Sequence, residues 1–190
     1  MTHDELVDRE LIRDLVQRYA RGVDRRDFDL VRSCYHPDAI DEHGPFRGDV
    51  DGFIEFLREQ LARWSVTQHV IGNSLIEFDG ERALVETYAV AYHRTEFVPD
   101  RPVVDVTAGC RYVDVMEKRD GRWGIVHRVV VMDWSRRDDV DPRSVDPNDG
   151  YERGAHFPDD FSYRNGSRRS GVRPCQRRTT MVPAAASCSP

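Results

Sequence analysis

The sequence predicts an α+β fold, a cone in which N-terminal helices pack on a strongly curved, mainly antiparallel sheet with one open end. Two observations carry this expectation. Apolar residues recur at helical spacing up to about residue 64 and at every second position afterwards. Two Asp-Gly pairs, Asp79-Gly80 and Asp120-Gly121, then punctuate the second half as hairpin turns. The strands between them are longer than usual, and long antiparallel strands twist and curl.

The first element is an amphipathic helix over residues 5–23. Leu11, Leu15 and Tyr19 recur every four residues, and Ile12, Val16 and Val23 widen the stripe. Gly22 weakens its end, and Asp24-Arg25-Arg26-Asp27 reads as a polar turn. Asp27 is the N-cap of a short second helix through Phe28, Leu30, Val31 and Tyr35, which His36-Pro37-Asp38 stops. A short strand is expected near Ala39–Asp41, and Gly44-Pro45-Phe46-Arg47-Gly48 is turn chemistry. Residues 50–64 form a third helix with Val50, Phe53, Ile54, Leu57, Leu61 and Trp64 on one side. The period then becomes two, over residues 67–78, 82–96, 104–117 and 122–134.

These elements place a domain at residues 1–134. Residues 135–164 form an irregular extension that Tyr151, Phe157, Phe161 and Tyr163 are placed to dock. Residues 165–190, mostly Arg, Ser, Thr, Pro and Ala, have too few large apolar groups to offset ordering entropy and are expected to be disordered.

Composition narrows the function classes. The 190 residues are 39% hydrophobic and 33% charged, with a net charge of −6. Six arginines and no acid follow Asp160, which leaves −12 on residues 1–160 and argues against a nucleic-acid partner. Lys118 is the single lysine. No run approaches the roughly 18 apolar residues that span a bilayer, and the acidic start, Met1-Thr2-His3-Asp4-Glu5, lacks the order of a secretion signal. The expected address is cytoplasmic, with no membrane partner. Cys34, Cys110, Cys175 and Cys188 are scattered with no C-x-x-C pair, so neither a zinc ribbon nor a thioredoxin-like motif is expected, and a reducing cytoplasm would not keep a disulfide framework. His36 and His43 flank a loop, but their spacing to carboxylates is not that of a metal site, and neither metal nor cofactor is expected.

Four segments carry a resemblance. They are Arg18-Tyr19-Ala20-Arg21-Gly22-Val23-Asp24, Gln68-His69-Val70-Ile71-Gly72-Asn73, Gly109-Cys110-Arg111-Tyr112-Val113-Asp114, and Arg119-Asp120-Gly121-Arg122-Trp123 leading to His127-Arg128. Together with the element order, they make residues 5–134 resemble the SnoaL-like group of the nuclear transport factor 2-like superfamily. That fold hosts scytalone dehydratase, bile acid 7α-dehydratase, hexachlorocyclohexane dehydrochlorinase, ketosteroid isomerase and polyketide cyclases, as well as non-catalytic proteins. The resemblance implies an Asp–His pair inside the cone, with Asp24 and His69 in those two places. It further implies Tyr19, five residues before the Asp, and an inward arginine on the last strand, matched by Arg128. Members usually pair through the outer sheet face, so a homodimer or homotrimer is expected.

The chemistry of such a set is proton abstraction. A neutral imidazole removes a proton from carbon next to a carbonyl, and a carboxylate on its other nitrogen holds the tautomer. A fixed donor or cation, Tyr19 or Arg128, then stabilises the enolate oxygen. Each residue has a plainer reading. Asp24 caps a helix, His69 is a satisfied polar residue at a strand start, and Tyr19 packs in the core with its hydroxyl bonded. Arg128 shares parity with Val126, Val130 and Met132, and His127 with Ile125, Val129 and Val131, so periodicity leaves open which of the two faces inward. Further pocket candidates are Asn73, which shares parity with His69, His93 as a second proton-transfer group, and Arg111.

Phe46, Phe53, Phe56, Leu57, Trp64 and Tyr88 are expected to rim the pocket, suiting a hydrophobic small-molecule substrate of polyketide, steroid or aromatic type. The reading is a cofactor-independent lyase (dehydratase) or isomerase. The alternatives are a polyketide cyclase, or a non-catalytic ligand-binding protein or structural subunit.

Overall fold

The computed structural model describes residues 2–96, 98, 101–141 and 150–164. Helix α1 (His3–Arg25) starts on a capping box. The Thr2 hydroxyl accepts from the Glu5 amide at 3.1 Å, and the Glu5 carboxylate accepts from the Thr2 amide at 2.9 Å. Its buried stripe includes Ile12, Leu15, Val16, Tyr19 and Val23, whereas Leu11, expected in that stripe, is exposed. The helix runs past Val23 to Arg25, and Arg26 closes it in the left-handed conformation (φ 53°). Asp24 therefore stands inside the last helical turn, not in a turn after it.

Helix α2 (Phe28–Ser33) is capped by Asp27, whose carboxylate accepts from the Leu30 amide at 3.1 Å. At Gly22 the two helices touch, since a Cβ there would lie 2.8 Å from Val31 Cγ2. Helix α2 stops before Tyr35 because Tyr35 opens strand β1 (Tyr35–His43), in register with Ile125. Strand β2 (Phe46–Asp49) and helix α3 (Val50–Leu61) follow, the helix capped by Asp49 on the Gly52 amide at 2.8 Å. Trp64, expected on α3, begins β3 (Trp64–Asp79) instead.

Strands β4 (Arg82–Thr95), β5 (Val103–Arg119) and β6 (Arg122–Val140) complete one sheet of order β2-β1-β6-β5-β4-β3. The β1–β6 pair is parallel and the others are antiparallel, giving a mixed, curled and unclosed sheet against which the helices pack. Both Asp-Gly pairs form the expected hairpins, with positive φ at Gly80 (60°), Asp120 (52°) and Gly121 (76°). Among the described residues, no helix is long and apolar enough to cross a membrane.

Two bulges decide which side chains face inward. In β3, Ile71 pairs with Ala89 and Ser74 with Thr87, so β3 carries one extra residue there. In β6, Ile125 pairs with Met116 and His127 with Val115, leaving Val126 extra. Inward parity thus passes from Trp123 and Ile125 to Arg128 and Val130. This is why both phases of β6 are apolar in sequence.

Strand β6 continues beyond Trp134 to Val140, paired with β5 as far as Val103, so the sheet reaches into residues assigned to the irregular extension. Farther on, residues 150–164 pack against the C-terminal end of α1 and close with the short helix α4 (Phe161–Arg164). The Phe157 amide donates to the Arg25 carbonyl at 2.7 Å. Asp160 is buried, accepting from the Ala155 and Ser162 amides at 2.9 and 3.0 Å, with Arg25 at 3.2 Å. The two amides, the Ser162 hydroxyl and the Arg25 guanidinium hold its carboxyl well below the ordinary range. Tyr163 lies under the Arg21 guanidinium (4.5 Å) and against Phe157, while Tyr151 and Phe161 stay exposed. The expectation for residues 165–190 lies outside the described residues.

Candidate active site

Between α1, α3 and the concave face of the sheet lies a cavity of about 300 Å³. Its walls combine apolar and aromatic side chains (Val23, Phe56, Leu57, Trp64, Tyr112, Val130) with three histidines, His43, His69 and His93, and with Tyr19. The last turn of α1 lies over β3, and this contact brings Asp24 to His69 across 45 residues of sequence. Asp24 grips His69 twice. Its Oδ1 lies 2.6 Å from His69 Nδ1, and its Oδ2 accepts from the His69 amide at 2.9 Å. A carboxylate at Nδ1 assigns that nitrogen as the donor and leaves Nε2 with the lone pair. Both side chains are largely but not fully covered, at 10% and 12% exposure, and of the two His69 lines the cavity.

The His93 ring stands edge-on to His69 at 5.6 Å and tilts against Trp64 at 5.2 Å. Burial, helped by the neighbouring His69 and His43, pushes its pKa down to about 4, so His93 is neutral at physiological pH. Tyr19 lines the cavity with its ring edge against Tyr112 (5.6 Å) and Tyr35 (6.1 Å). Burial pushes its phenol up, which keeps the hydroxyl protonated and a donor.

Arg128 faces inward, and His127 faces the other way, bonding Glu42 at 2.9 Å. The arginine is not part of the cavity wall, however. Its Nε and Nη2 each reach Asp114 at 2.7 Å, and its guanidinium is packed against the rings of Tyr19 (4.1 Å) and Tyr112 (4.3 Å). Burial disfavours the cation, but Asp114, with Tyr35 and Tyr19, more than offsets this and holds Arg128 protonated.

The other expected pocket residues divide. Trp64 and His93 line the cavity, as do Phe56 and Leu57. Phe53 is fully buried behind it, stacked on His43, and Phe46 stacks on Phe56. Asn73 is exposed, because the β3 bulge breaks the parity it would otherwise share with His69. Tyr88 is exposed on the outer face, where Arg111 pairs with Asp133 (2.9 Å) and Glu86 (3.4 Å).

His36 bonds the Glu117 carbonyl at 2.9 Å, far from the cavity in role, whereas its companion His43 is a wall residue. Sequence reasoning set His43 aside as a loop histidine. The signal available was Asp41-x-His43, a spacing that puts both side chains on one face of a strand. Cys110 and Tyr112, also on the wall, were not among the expected pocket residues.

The chain belongs to the SnoaL-like domain family, whose pattern matches residues 4–129. An uncharacterised protein of Mycobacterium tuberculosis is 28% identical over 129 residues, covering 66% of this chain and 85% of that protein. Among solved structures, a hexachlorocyclohexane dehydrochlorinase (LinA, type 2) superposes with a TM-score of 0.65 at 20% identity, over 75% of this chain and 98% of its own. A candidate scytalone dehydratase from Novosphingobium aromaticivorans gives 0.63 at 22% identity, over 80% and 100%. At such identities the two structures establish the shared fold.

Proposed function

We propose that this chain is a cofactor-independent lyase (a dehydratase) or isomerase that removes a proton from carbon next to a carbonyl. His69 is the base and Asp24 its orienting partner. The observation that carries the reading is the double grip of Asp24 on His69 at the wall of an apolar cavity. The Asp24 carboxylate stabilises the imidazolium that forms on proton transfer, and general-base catalysis of this kind is worth about 10²–10⁴ in rate. Enolate charge falls to the protonated Tyr19 hydroxyl, and Arg128 acts on it through the Tyr19 ring that it underlies. The apolar and aromatic walls suit a hydrophobic polyketide-, steroid- or aromatic-type molecule. The exposed apolar residues of the outer face, among them Val70, Leu75, Leu84, Tyr88 and Val90, suit pairing as a homodimer or homotrimer.

The same cavity supports a second reading, a binding protein without turnover. Incubating the chain with aromatic β-hydroxy ketones in D₂O separates the two. Proton NMR should show loss of the α-proton signal, abolished in His69→Ala. Binding of the ketones without exchange in the unaltered chain would hand the function to the second reading.

A further inference from the structure

We propose that His43, held by Asp41, is a second proton-transfer group of this cavity, and that the substrate is therefore one whose hydroxyl leaves with a proton delivered from this side. The proposal rests on the proton-abstraction reading and chooses elimination within it. His43 ends β1 and His69 lies in the first half of β3, strands separated by β6, β5 and β4 in the sheet, yet the curl brings both to one cavity.

The His43 ring stacks on Phe53 (5.5 Å, 28° between planes), and its Nδ1 is buried with no hydrogen-bond partner. Facing it at 3.7 Å is Asp41 Oδ1, also buried and without a partner. The other Asp41 oxygen accepts from the Tyr35 hydroxyl at 2.7 Å. Buried groups left in this state are costly, and two that face each other are satisfied together by a ring movement of roughly 1 Å.

Charge favours the same pairing. The buried network behind His43 holds two carboxylates, Asp41 on β1 and Asp114 on β5, against one guanidinium, Arg128 on β6. Tyr35, Tyr19 and Tyr112 complete it as protonated phenols, and α3 presents the phenyl rings of Phe53 and Phe56 to His43. A hydrogen bond from His43 Nδ1 would satisfy the second carboxylate. His93 and His69, from β4 and β3, are the remaining bases on the wall. His93 is held neutral by burial and makes a poor acid.

In the reaction, His69 Nε2 takes the α-proton and the C–H electron pair becomes the new C=C bond. The β-carbon–oxygen bond breaks towards oxygen, and the His43 imidazolium protonates that oxygen as it leaves as water. The products are the unsaturated carbonyl compound and water. His69 is left protonated and His43 neutral, and proton exchange with solvent resets both. His43 is the catalytic residue and Asp41 its positioning residue.

The test is ¹⁵N NMR of histidine-labelled full-length chain, which reads which ring nitrogen of each histidine bears a proton. His43 should carry a proton on Nδ1, and this signal should be lost in Asp41→Asn while His69 keeps its own. A bare Nδ1 on His43 in the unaltered chain overturns the proposal, and so does an Nδ1 proton indifferent to Asp41→Asn. If Asp41→Asn does not fold, Tyr35→Phe, which frees the other Asp41 oxygen, replaces it and should leave the Nδ1 proton of His43 in place; its loss there counts against Asp41. A bare Nδ1 on His69 sinks the parent reading instead, and the same spectrum distinguishes the two failures.

Discussion

Two carboxylates, Asp24 and Asp114, each hold a basic residue through both oxygens, Asp24 by the ring and backbone amide of His69 and Asp114 by the Arg128 guanidinium, and they differ in what lies beyond the pair. Asp114 and Arg128 are wholly buried, 0% exposed, and rings of Tyr19 and Tyr112 separate the guanidinium from the cavity. Asp24 and His69 retain a small exposure, and His69 meets the cavity directly with Asp24 behind it. The sealed pair holds helix α1 to strands β5 and β6, because the cation joins Asp114 on one side and the Tyr19 ring on the other. The open pair holds a base at a wall that a ligand can reach. Similar hydrogen-bond geometry thus serves architecture in one place and chemistry in the other, and accessibility makes the difference.

The sharpest way to break this contrast is Arg128→Met. It strands a buried carboxylate and should destabilise the fold by about 3–5 kcal/mol in chemical denaturation. Adding Asp114→Leu should recover much of the loss, and failure to recover would mean that the charge itself matters beyond the fold. Asp24→Asn should behave oppositely. It should lower α-proton exchange by about 100-fold or more, with a smaller loss of stability than Arg128→Met.

The histidine beside His69 sharpens the comparison through pH. His93 is depressed from 6.5 to about 4, so the unfolded chain binds a proton before the folded chain does. Its stability contribution is present above pH 6.5 and is lost as pH falls towards 4, with a slope of at most about 1.4 kcal/mol per pH unit. Carboxylates add their own acid destabilisation, so the measurement is the difference from His93→Asn, whose denaturation midpoint should fall less steeply over that range. The smallest effect is expected at exposed Asn73. Asn73→Ala should change stability by less than about 0.5 kcal/mol and leave exchange intact. A large effect there would place a functional group on the outer face.

Much of the fold was legible because its signals are local. The Asp27 cap, the two Asp-Gly turns and the switch from helical to alternating period each involve residues within a few positions of one another. Asp24 and His69 were legible through the resemblance, which supplied a pairing that their separation in sequence hides. Asn73 was misplaced because parity counting assumes an unbroken strand, and a single extra residue after Ile71 reverses it. The choice between Arg128 and His127 stayed open for the same reason, as the bulge at Val126 makes both phases of β6 apolar on one side or the other. His43 escaped because its partner relationship with Asp41 has meaning only once β1 is known to reach the cavity.

By itself, then, the amino-acid order determined the kinds and succession of elements, their caps and their tight turns. These depend on backbone preferences and on hydrogen bonds between near neighbours. Tertiary structure decided which side chains face the cavity, that Arg128 is sealed while His69 is reachable, and that β1 and the distant edge strand β3 line one cavity. Those outcomes follow from strand register, bulges and curl, which are set by hydrogen bonds between strands far apart in sequence.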